Sequence, residues 1–189
     1  MILGIVSDIH GNTQGLADAI AAMGSFDRLV CLGDCIHDYR FSNDVVAMLR
    51  AHDALVIQGN HEETFYSHHG VRARSAPWID PEQMAWLAER PDHLVIEHAG
   101  RKVLAVHSTP WTPRGTYVYP HSAMLERFSE PGADIVLYGH THCQLVRQVG
   151  STLVVNPGSA GEARDHNNGH RLSCAVVDVA AGTARVIDY

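Results

Sequence analysis

The stretch that decides the fold is ILGIVSDIHGN at residues 2–12, where the short apolar run Ile2–Val6 leads directly into a polar loop. An apolar run without polar alternation predicts a strand that is covered on both faces. Asp8 and His10 lie two positions apart, so on an extended segment their side chains point the same way. The stretch therefore predicts a buried strand that presents a pair of metal-ligand side chains at its carboxyl end.

The same arrangement recurs along the chain. Later apolar runs lead into Gly33-Asp34, Gly59-Asn60-His61-Glu62, His107 and Gly139-His140-Thr141-His142. In a layered α/β sheet, the loops at the carboxyl ends of the strands form a common crevice. We therefore expect one rim to collect Asp8, His10, Asp34, Asn60, His61, His107, His140 and His142.

Periodicity and capping residues predict an α/β layered domain that spans residues 1–189. The predicted strands are Ile2–Val6, Leu29–Leu32, Ala54–Ile57, Val103–Val106, Ile135–Tyr138, Leu153–Val155, Ala175–Val179 and Ala184–Ile187. The predicted helices are Gln14–Met23 capped by Thr13, Asn43–Arg50 capped by Ser42, one that starts at Asp80-Pro81, and His121–Phe128. We expect the later sheet to be the more antiparallel one. Residues 62–100 lack a clear strand signal and are expected to form either a helical cap beside the site or helical cladding of a sheet face.

The candidate ligands are carboxylates, one amide and several imidazoles, and none is a thiolate. That set suits Mn²⁺, Fe²⁺, Zn²⁺ or Ni²⁺. The ligands are too many for one coordination sphere, and paired metal ions are typical of phosphoester hydrolysis. Two divalent ions are therefore expected.

Composition excludes several classes of protein. The 14 Lys and Arg against 21 Asp and Glu give a net charge of −7, which disfavours a partner such as duplex nucleic acid. No apolar run reaches the roughly 20 residues of a membrane helix, and we expect no membrane association. The first residues lack a leader pattern, and the four cysteines lack a disulfide or zinc spacing. These observations favour a cytoplasmic protein, and they leave a homo-oligomer open.

In their order along the chain, Asp8-x-His10, Gly33-Asp34, Gly59-Asn60-His61-Glu62, His107 and Gly139-His140-Thr141-His142 resemble the motifs of the calcineurin-like metallophosphoesterases. Asn156-Pro157-Gly158-Ser159 followed by Arg164 resembles the tail of the small bacterial and archaeal phosphodiesterase branch. The resemblance implies a four-layer αββα sandwich of two mixed β-sheets flanked by helices. It also implies two metal ions, with Mn²⁺ as the first expectation.

The resemblance further implies a role for each motif residue. One metal would be held by Asp8, His10, Asp34 and His142, and the other by Asp34, Asn60, His107 and His140, so that Asp34 bridges. A bridging hydroxide would attack phosphorus in line, with His61 as the general acid for the leaving oxygen. The implied substrate is a small phosphate ester, with a phosphodiester favoured over a monoester.

Three alternatives stay open at the level of sequence. The chain could be a catalytically weak protein-binding scaffold of the same fold, a phosphomonoesterase or nucleotide phosphatase, or a nuclease, which its acidic charge disfavours. Arg164 is a candidate for binding the substrate phosphate, and Arg40 is a weaker one. His37 is expected to be an exposed loop residue more than a site residue. Ser108 stands where the family usually has Gly, and it could crowd or hydrogen-bond the phosphate.

Overall fold

Two mixed five-stranded sheets pack face to face in this structure, a computed structural model that describes residues 1–112 and 114–189. The first sheet has the order β10-β9-β1-β2-β3 and the second has the order β4-β5-β6-β8-β7. The strands are β1 Ile2–Val6, β2 Arg28–Cys31, β3 Leu55–Val56, β4 His93–His98, β5 Arg101–Val106, β6 Ile135–Leu137, β7 Leu145–Val149, β8 Thr152–Asn156, β9 Ser173–Asp178 and β10 Thr183–Asp188.

Helices cover the outer face of the first sheet. They are α1 Thr13–Met23, α2 Asn43–Ala51, α3 Asn60–Tyr66, α4 Val71–Arg74 and α5 Pro81–Ala88, with a 3₁₀ turn at His68–Gly70. The outer face of the second sheet packs against a 3₁₀ helix, Ala123–Ser129, whose Leu125 and Phe128 are buried. This four-layer arrangement confirms the predicted fold class. No described helix combines the length and the apolar character needed to cross a membrane.

The core between the sheets explains why the early strands are continuous apolar runs. Leu3 and Ile5 of β1 pack in one buried cluster with Ala105 of β5, Leu137 of β6 and Val155 of β8. The opposite face of the first sheet is buried as well, under α1 and α2. Strands with two covered faces have no position for a polar side chain until they end. The polar residues therefore begin where the strands stop.

Parallel pairing collects those strand ends at one edge. In the first sheet β1 runs parallel to β2, and β2 to β3. In the second sheet β5 runs parallel to β6, and β6 to β8. The loops that follow β1, β2, β3, β5 and β6 are the ones that carry the predicted ligands.

Several local expectations were wrong. The strands β4 and β7 were not predicted, because both are edge strands in which exposed and half-buried residues interrupt the apolar pattern. The later sheet is no more antiparallel than the first, since each has two parallel and two antiparallel pairings among the described residues. Helix α1 is capped by Asn12, whose side chain accepts from the Gly15 N–H, and not by Thr13. The segment predicted as a helix at His121–Phe128 is the 3₁₀ helix Ala123–Ser129.

The helical part of residues 62–100 covers a sheet. Phe65 of α3 and Leu87 of α5 are buried in the same cluster as Leu49 of α2 and Val56 of β3. Residues His93–His98 then form β4, which pairs antiparallel with β5. This packing corresponds to the cladding alternative.

Candidate metal centre

Backbone geometry singles out the residues at the strand ends. Asp8, His10, Asp34, His140 and His142 have φ angles of 53°, 49°, 52°, 66° and 56°. Residues other than glycine rarely adopt this left-handed region, although Asp and His enter it more readily than most. Strained backbone of this kind concentrates at functional sites. Among the eight described residues other than glycine that have a positive φ, these five are predicted metal ligands, and Asp53, Ala99 and His170 are not.

The first group of ligand atoms comes from Asp8, His10 and His142, all of them buried. The Nε2 atoms of His10 and His142 lie 3.2 Å apart. Asp8 Oδ1 lies 3.3 Å from His142 Nε2 and 3.9 Å from His10 Nε2. Three ligand atoms therefore converge on one point. Asp8 and His10 share this group as their spacing predicted, although their backbone is left-handed and not extended. His140 and His142 do not form a pair, because His140 lies in the second group.

The second group centres on His107. Its Nε2 atom lies 3.1 Å from Asn60 Oδ1, 3.2 Å from His140 Nδ1 and 3.3 Å from Asp34 Oδ2. The other ring nitrogen of His107 donates to the Leu32 carbonyl oxygen at 2.7 Å. That hydrogen bond fixes the ring so that Nε2 faces the group.

Asp34 lies between the two groups. Its Oδ2 atom belongs to a cluster with His107 and His140 and also to one with His10 and His61. His61 Nε2 lies 3.7 Å from that oxygen, and Asp34 Oδ1 accepts from the His61 backbone N–H at 2.9 Å. One carboxylate is thus in reach of both groups.

The charges of the centre are unevenly distributed. Burial lowers the pKa of His107, but the Asp34 carboxylate more than offsets this effect and raises it to about 10. Burial raises the pKa of Asp34, yet His107 and His61 outweigh burial and hold it well below its usual range. Burial dominates at His10 and lowers its pKa to about 4. Without metal, the centre therefore contains an ion pair of Asp34 with His107 and a neutral His10.

The residues present fit divalent metal ions. Asp8 Oδ1 is buried and has no hydrogen-bond partner in the described chain. An orphaned buried carboxylate oxygen is costly unless a cation or donor completes it. The mixed oxygen and nitrogen donors match borderline divalent ions. The arrangement can therefore hold divalent metal.

Glu62 ties two of the ligand loops together. Its buried carboxylate accepts from the backbone N–H groups of Asp34 at 2.8 Å, Ile36 at 3.1 Å and Gly59 at 2.8 Å. Gly59 is required there, because a Cβ atom at that position would lie 2.2 Å from Asp34 Oδ1. The loops after β2 and β3 therefore hold each other in place.

The tail motif ties the remaining loops. Asn156 donates to the Gly139 carbonyl oxygen at 2.9 Å and to Thr141 Oγ1 at 3.1 Å. Ser159 Oγ donates to the Asp8 carbonyl oxygen at 2.8 Å. These hydrogen bonds explain why Asn and Ser occur in a segment that supplies no ligand.

A family model described as the calcineurin-like phosphoesterase superfamily domain matches residues 1–182. The chain belongs to this superfamily. Phosphodiesterase MJ0936 from Methanocaldococcus jannaschii is 24% identical over 159 residues, which cover 84% of this chain and 83% of that protein. Family membership confirms the resemblance seen in the sequence and identifies a metal-dependent class of phosphoesterases.

Solved structures show the same fold. A metallophosphoesterase from Sphaerobacter thermophilus has a TM-score of 0.77 at 23% identity and covers 100% of this chain and 88% of that one. An archaeal phosphodiesterase has a TM-score of 0.64 at 23% identity, with 100% of both chains covered. At this level of identity, the likeness concerns the fold alone.

Within the superfamily domain, the structure brings together all eight residues predicted for the rim. Arg164 lies outside them, with a 59% exposed side chain that is ion-paired to Glu162. Burial and the charge of Arg164 both lower the pKa of His142. The Asp8 carboxylate outweighs both effects, so this pKa is raised. Arg40 is exposed, and its backbone pairs with that of His37.

His37 differs from its expectation as an exposed loop residue. It is half-buried, and its ring centroid lies 4.9 Å from that of His61 and 5.7 Å from that of His10. The backbone pairing with Arg40 folds the loop back over the centre. The position of His37 three residues after Asp34 had left a place over the site as the less favoured alternative, and the structure supports that alternative.

Ser108, at the position where the family usually has Gly, is used inside the protein. Its Oγ atom accepts from the Gly115 N–H at 2.7 Å. The Gly115 carbonyl oxygen in turn accepts from His140 Nε2 at 3.1 Å. The hydroxyl therefore anchors the following loop to the second ligand group.

Sequence reasoning missed two residues next to the centre. Asp38 donates its backbone N–H to His61 Nδ1 at 3.0 Å, and its carboxylate lies 3.0 Å from the same nitrogen. The ring of Tyr117 stacks on that of His140 with centroids 3.9 Å apart. Asp38 is four residues from Asp34, which was a weak signal, whereas nothing in the sequence pointed to Tyr117.

A cavity of about 920 Å³ opens beside Asn60 and His107. Leu104, Val106 and Trp111 contribute apolar lining. Its charged lining residues include Glu63, Asp92, Glu130 and Arg114, and Arg114 is ion-paired to Asp92. The space next to the second ligand group can therefore take a bulky substituent with little negative charge.

Proposed function

We propose that this chain is a phosphodiesterase that works with two divalent metal ions. The observation that carries the proposal is the pair of ligand groups joined by Asp34. The first metal would be held by Asp8, His10, Asp34 and His142, and the second by Asp34, Asn60, His107 and His140. Such ions supply charge neutralisation for the phosphate and a lowered pKa for water at neutral pH.

His61 is proposed as the general acid. Its Nδ1 atom lies 3.0 Å from both the backbone nitrogen and the carboxylate of Asp38. Nε2 faces the centre, 3.7 Å from Asp34 Oδ2. A proton held at that atom is available to the oxygen that leaves phosphorus. With the Asp38 carboxylate beside Nδ1, a protonated ring can give up its Nε2 proton and remain a neutral imidazole.

Local charge favours a diester over a monoester. A diester carries one negative charge, whereas a monoester dianion needs additional cations. Arg164 is already paired with Glu162, and Arg114 with Asp92. Carboxylates also line the adjoining cavity. The relative MJ0936, which is named a phosphodiesterase, supports the same assignment.

The test compares bis-p-nitrophenyl phosphate with p-nitrophenyl phosphate on chelator-stripped protein supplied with Mn²⁺, Ni²⁺, Zn²⁺ or Mg²⁺. We expect turnover of the diester, with Mn²⁺ as an effective ion. Turnover of the monoester alone would replace the proposal by a phosphomonoesterase. If the protein binds two metals and hydrolyses neither ester, the result would favour the scaffold alternative.

The His61→Ala variant tests the acid. It should keep both metals and lose about 10²- to 10⁴-fold in turnover, the usual contribution of general acid catalysis. Metal content measured by mass spectrometry separates loss of the acid from loss of the centre. Wild-type turnover in this variant would remove His61 from the mechanism.

A further inference from the structure

Two exposed tyrosines beside the second ligand group have no part in the proposed reaction. Tyr117 is 53% exposed and Tyr119 is 47% exposed. Their rings are nearly parallel, at 14°, with centroids 6.0 Å apart. Tyr117 also stacks on His140 at 27°. We call the pair Tyr117 and Tyr119 the aromatic shelf.

Hydrogen bonds and burial anchor the segment that carries the shelf. Val118, between the two tyrosines, is fully buried, and its carbonyl oxygen accepts from the Tyr138 hydroxyl at 3.0 Å. The start of the segment is fixed at Gly115, which is hydrogen-bonded to both Ser108 and His140. A segment anchored at its start and middle presents its two rings outward in a defined position.

The shelf adjoins the second ligand group. The Tyr117 ring lies against His140, with centroids 3.9 Å apart. His140 Nδ1 in turn lies 3.2 Å from His107 Nε2. A substrate whose phosphate sits on the centre can bring one of its substituents onto the shelf.

We propose that the aromatic shelf binds a planar aromatic group, such as a nucleobase or an aryl ring, carried by the alcohol that stays on the phosphate. This inference rests on the proposed phosphodiesterase function and names its substrate class. Stacking uses the face that every such ring offers, so it selects aromatic substituents as a class. Ser108 acts as a positioning residue, because it fixes the loop that carries Tyr117.

The first experiment uses two diesters with the same leaving group, benzyl p-nitrophenyl phosphate and cyclohexylmethyl p-nitrophenyl phosphate. They differ in the aromaticity of the retained group and are close in size. Wild-type protein should prefer the benzyl ester in kcat/KM by about tenfold, within the range of a single stacking contact. Tyr117→Ala should abolish the preference and Tyr117→Phe should keep it. Equal kcat/KM for the two esters in the wild type would overturn the proposal.

Two further variants separate a specific effect from a general one. Trp78→Ala removes another exposed aromatic side chain, one between α4 and α5, and should leave the preference intact. Ser108→Gly should reduce the preference while metal content stays at the wild-type level. A preference that survives Tyr117→Ala, or one that Trp78→Ala removes equally, would show that the shelf is not the binding surface.

A binding measurement keeps the inference testable without turnover. Calorimetry of Mn²⁺-loaded protein should give a Kd for adenosine monophosphate about tenfold lower than for ribose 5-phosphate. Tyr117→Ala should bring the two values together. If neither ester is hydrolysed, the proposed function is wrong. The comparison of the two Kd values still tests whether the shelf binds an aromatic group. Equal or absent binding of adenosine monophosphate would refute it.

Discussion

Loading the centre with metal should displace a proton from His107. In the metal-free protein the Asp34 carboxylate, opposing burial, raises the pKa of that ring to about 10. The ring nitrogen that faces Asn60, Asp34 and His140 is Nε2, and a metal ion needs its lone pair. The proton on Nε2 must therefore leave when the ion binds.

The raised pKa sets the size of the effect. At pH 8, about two units below the pKa of His107, the ring is about 99% protonated, so metal loading should release about one proton from it. The apparent metal affinity should then rise about tenfold per pH unit between pH 7 and pH 9. His10 should release none, because burial lowers its pKa to about 4. Burial lowers the pKa of His142, but the neighbouring Asp8 carboxylate outweighs burial and raises it.

Linkage gives a second consequence for the metal-free protein. The pKa of His107 is raised from its ordinary value of 6.5 to about 10. Its contribution to folding stability is therefore complete below pH 6.5 and is lost as the pH rises through about 10. Metal binding should become stronger over the same range in which this ion pair weakens.

Calorimetry measures the proton count directly. Mn²⁺ is titrated into chelator-stripped protein at pH 8 in Tris and in HEPES, whose ionisation enthalpies differ, and the difference in heat gives the protons released. The exposed His93 provides a matched control, and His93→Gln should leave the count unchanged. In metal-free Asp34→Asn, an NMR titration should show a lower pKa for His107. A wild-type count near zero, or an unchanged pKa in Asp34→Asn, would refute the reasoning.

Four variants probe the architecture. Asp34→Asn should lose both metals because one carboxylate is in reach of both groups, and full metal content by mass spectrometry would exclude bridging. Gly59→Ala should weaken metal binding at least about tenfold, because the new Cβ would displace the Asp34 side chain. Wild-type metal affinity by calorimetry would contradict the close approach of Gly59 to Asp34. Asn12→Ala should lower the free energy of unfolding in urea by about 1–2 kcal/mol, because it removes the cap of α1. Thr13→Ala should cost less, and the reverse order would restore Thr13 as the cap.

The sequence predicted which candidate ligands come together because burial leaves little freedom in the central strands. Ile2–Val6 and Ile135–Leu137 are covered on both faces, so the first polar residues after them mark the end of the sheet. Parallel pairing then brings those ends to one edge. The strand β4 escaped prediction because it lies at the edge of its sheet, where Val95 stays 48% exposed.

Loop paths account for two contacts beside the centre that the sequence did not settle. Tyr117 reaches His140 only because hydrogen bonds at Gly115 and Val118 hold its loop in place. His37 approaches His61 only because its backbone turns back to pair with Arg40. Each contact joins segments whose separation along the chain carries no period, so a pattern read along one sequence could not reveal it.

Because the candidate ligands have left-handed backbone, variants selected for folding and variants selected for catalysis should differ at these positions. An L side chain in this region costs about 1–2 kcal/mol, and glycine avoids most of that cost. A library screened only for folded protein should therefore accept glycine at His10 and His142, whereas a library screened for turnover should reject it. Mapping where the two screens disagree would trace the catalytic rim without any knowledge of the substrate.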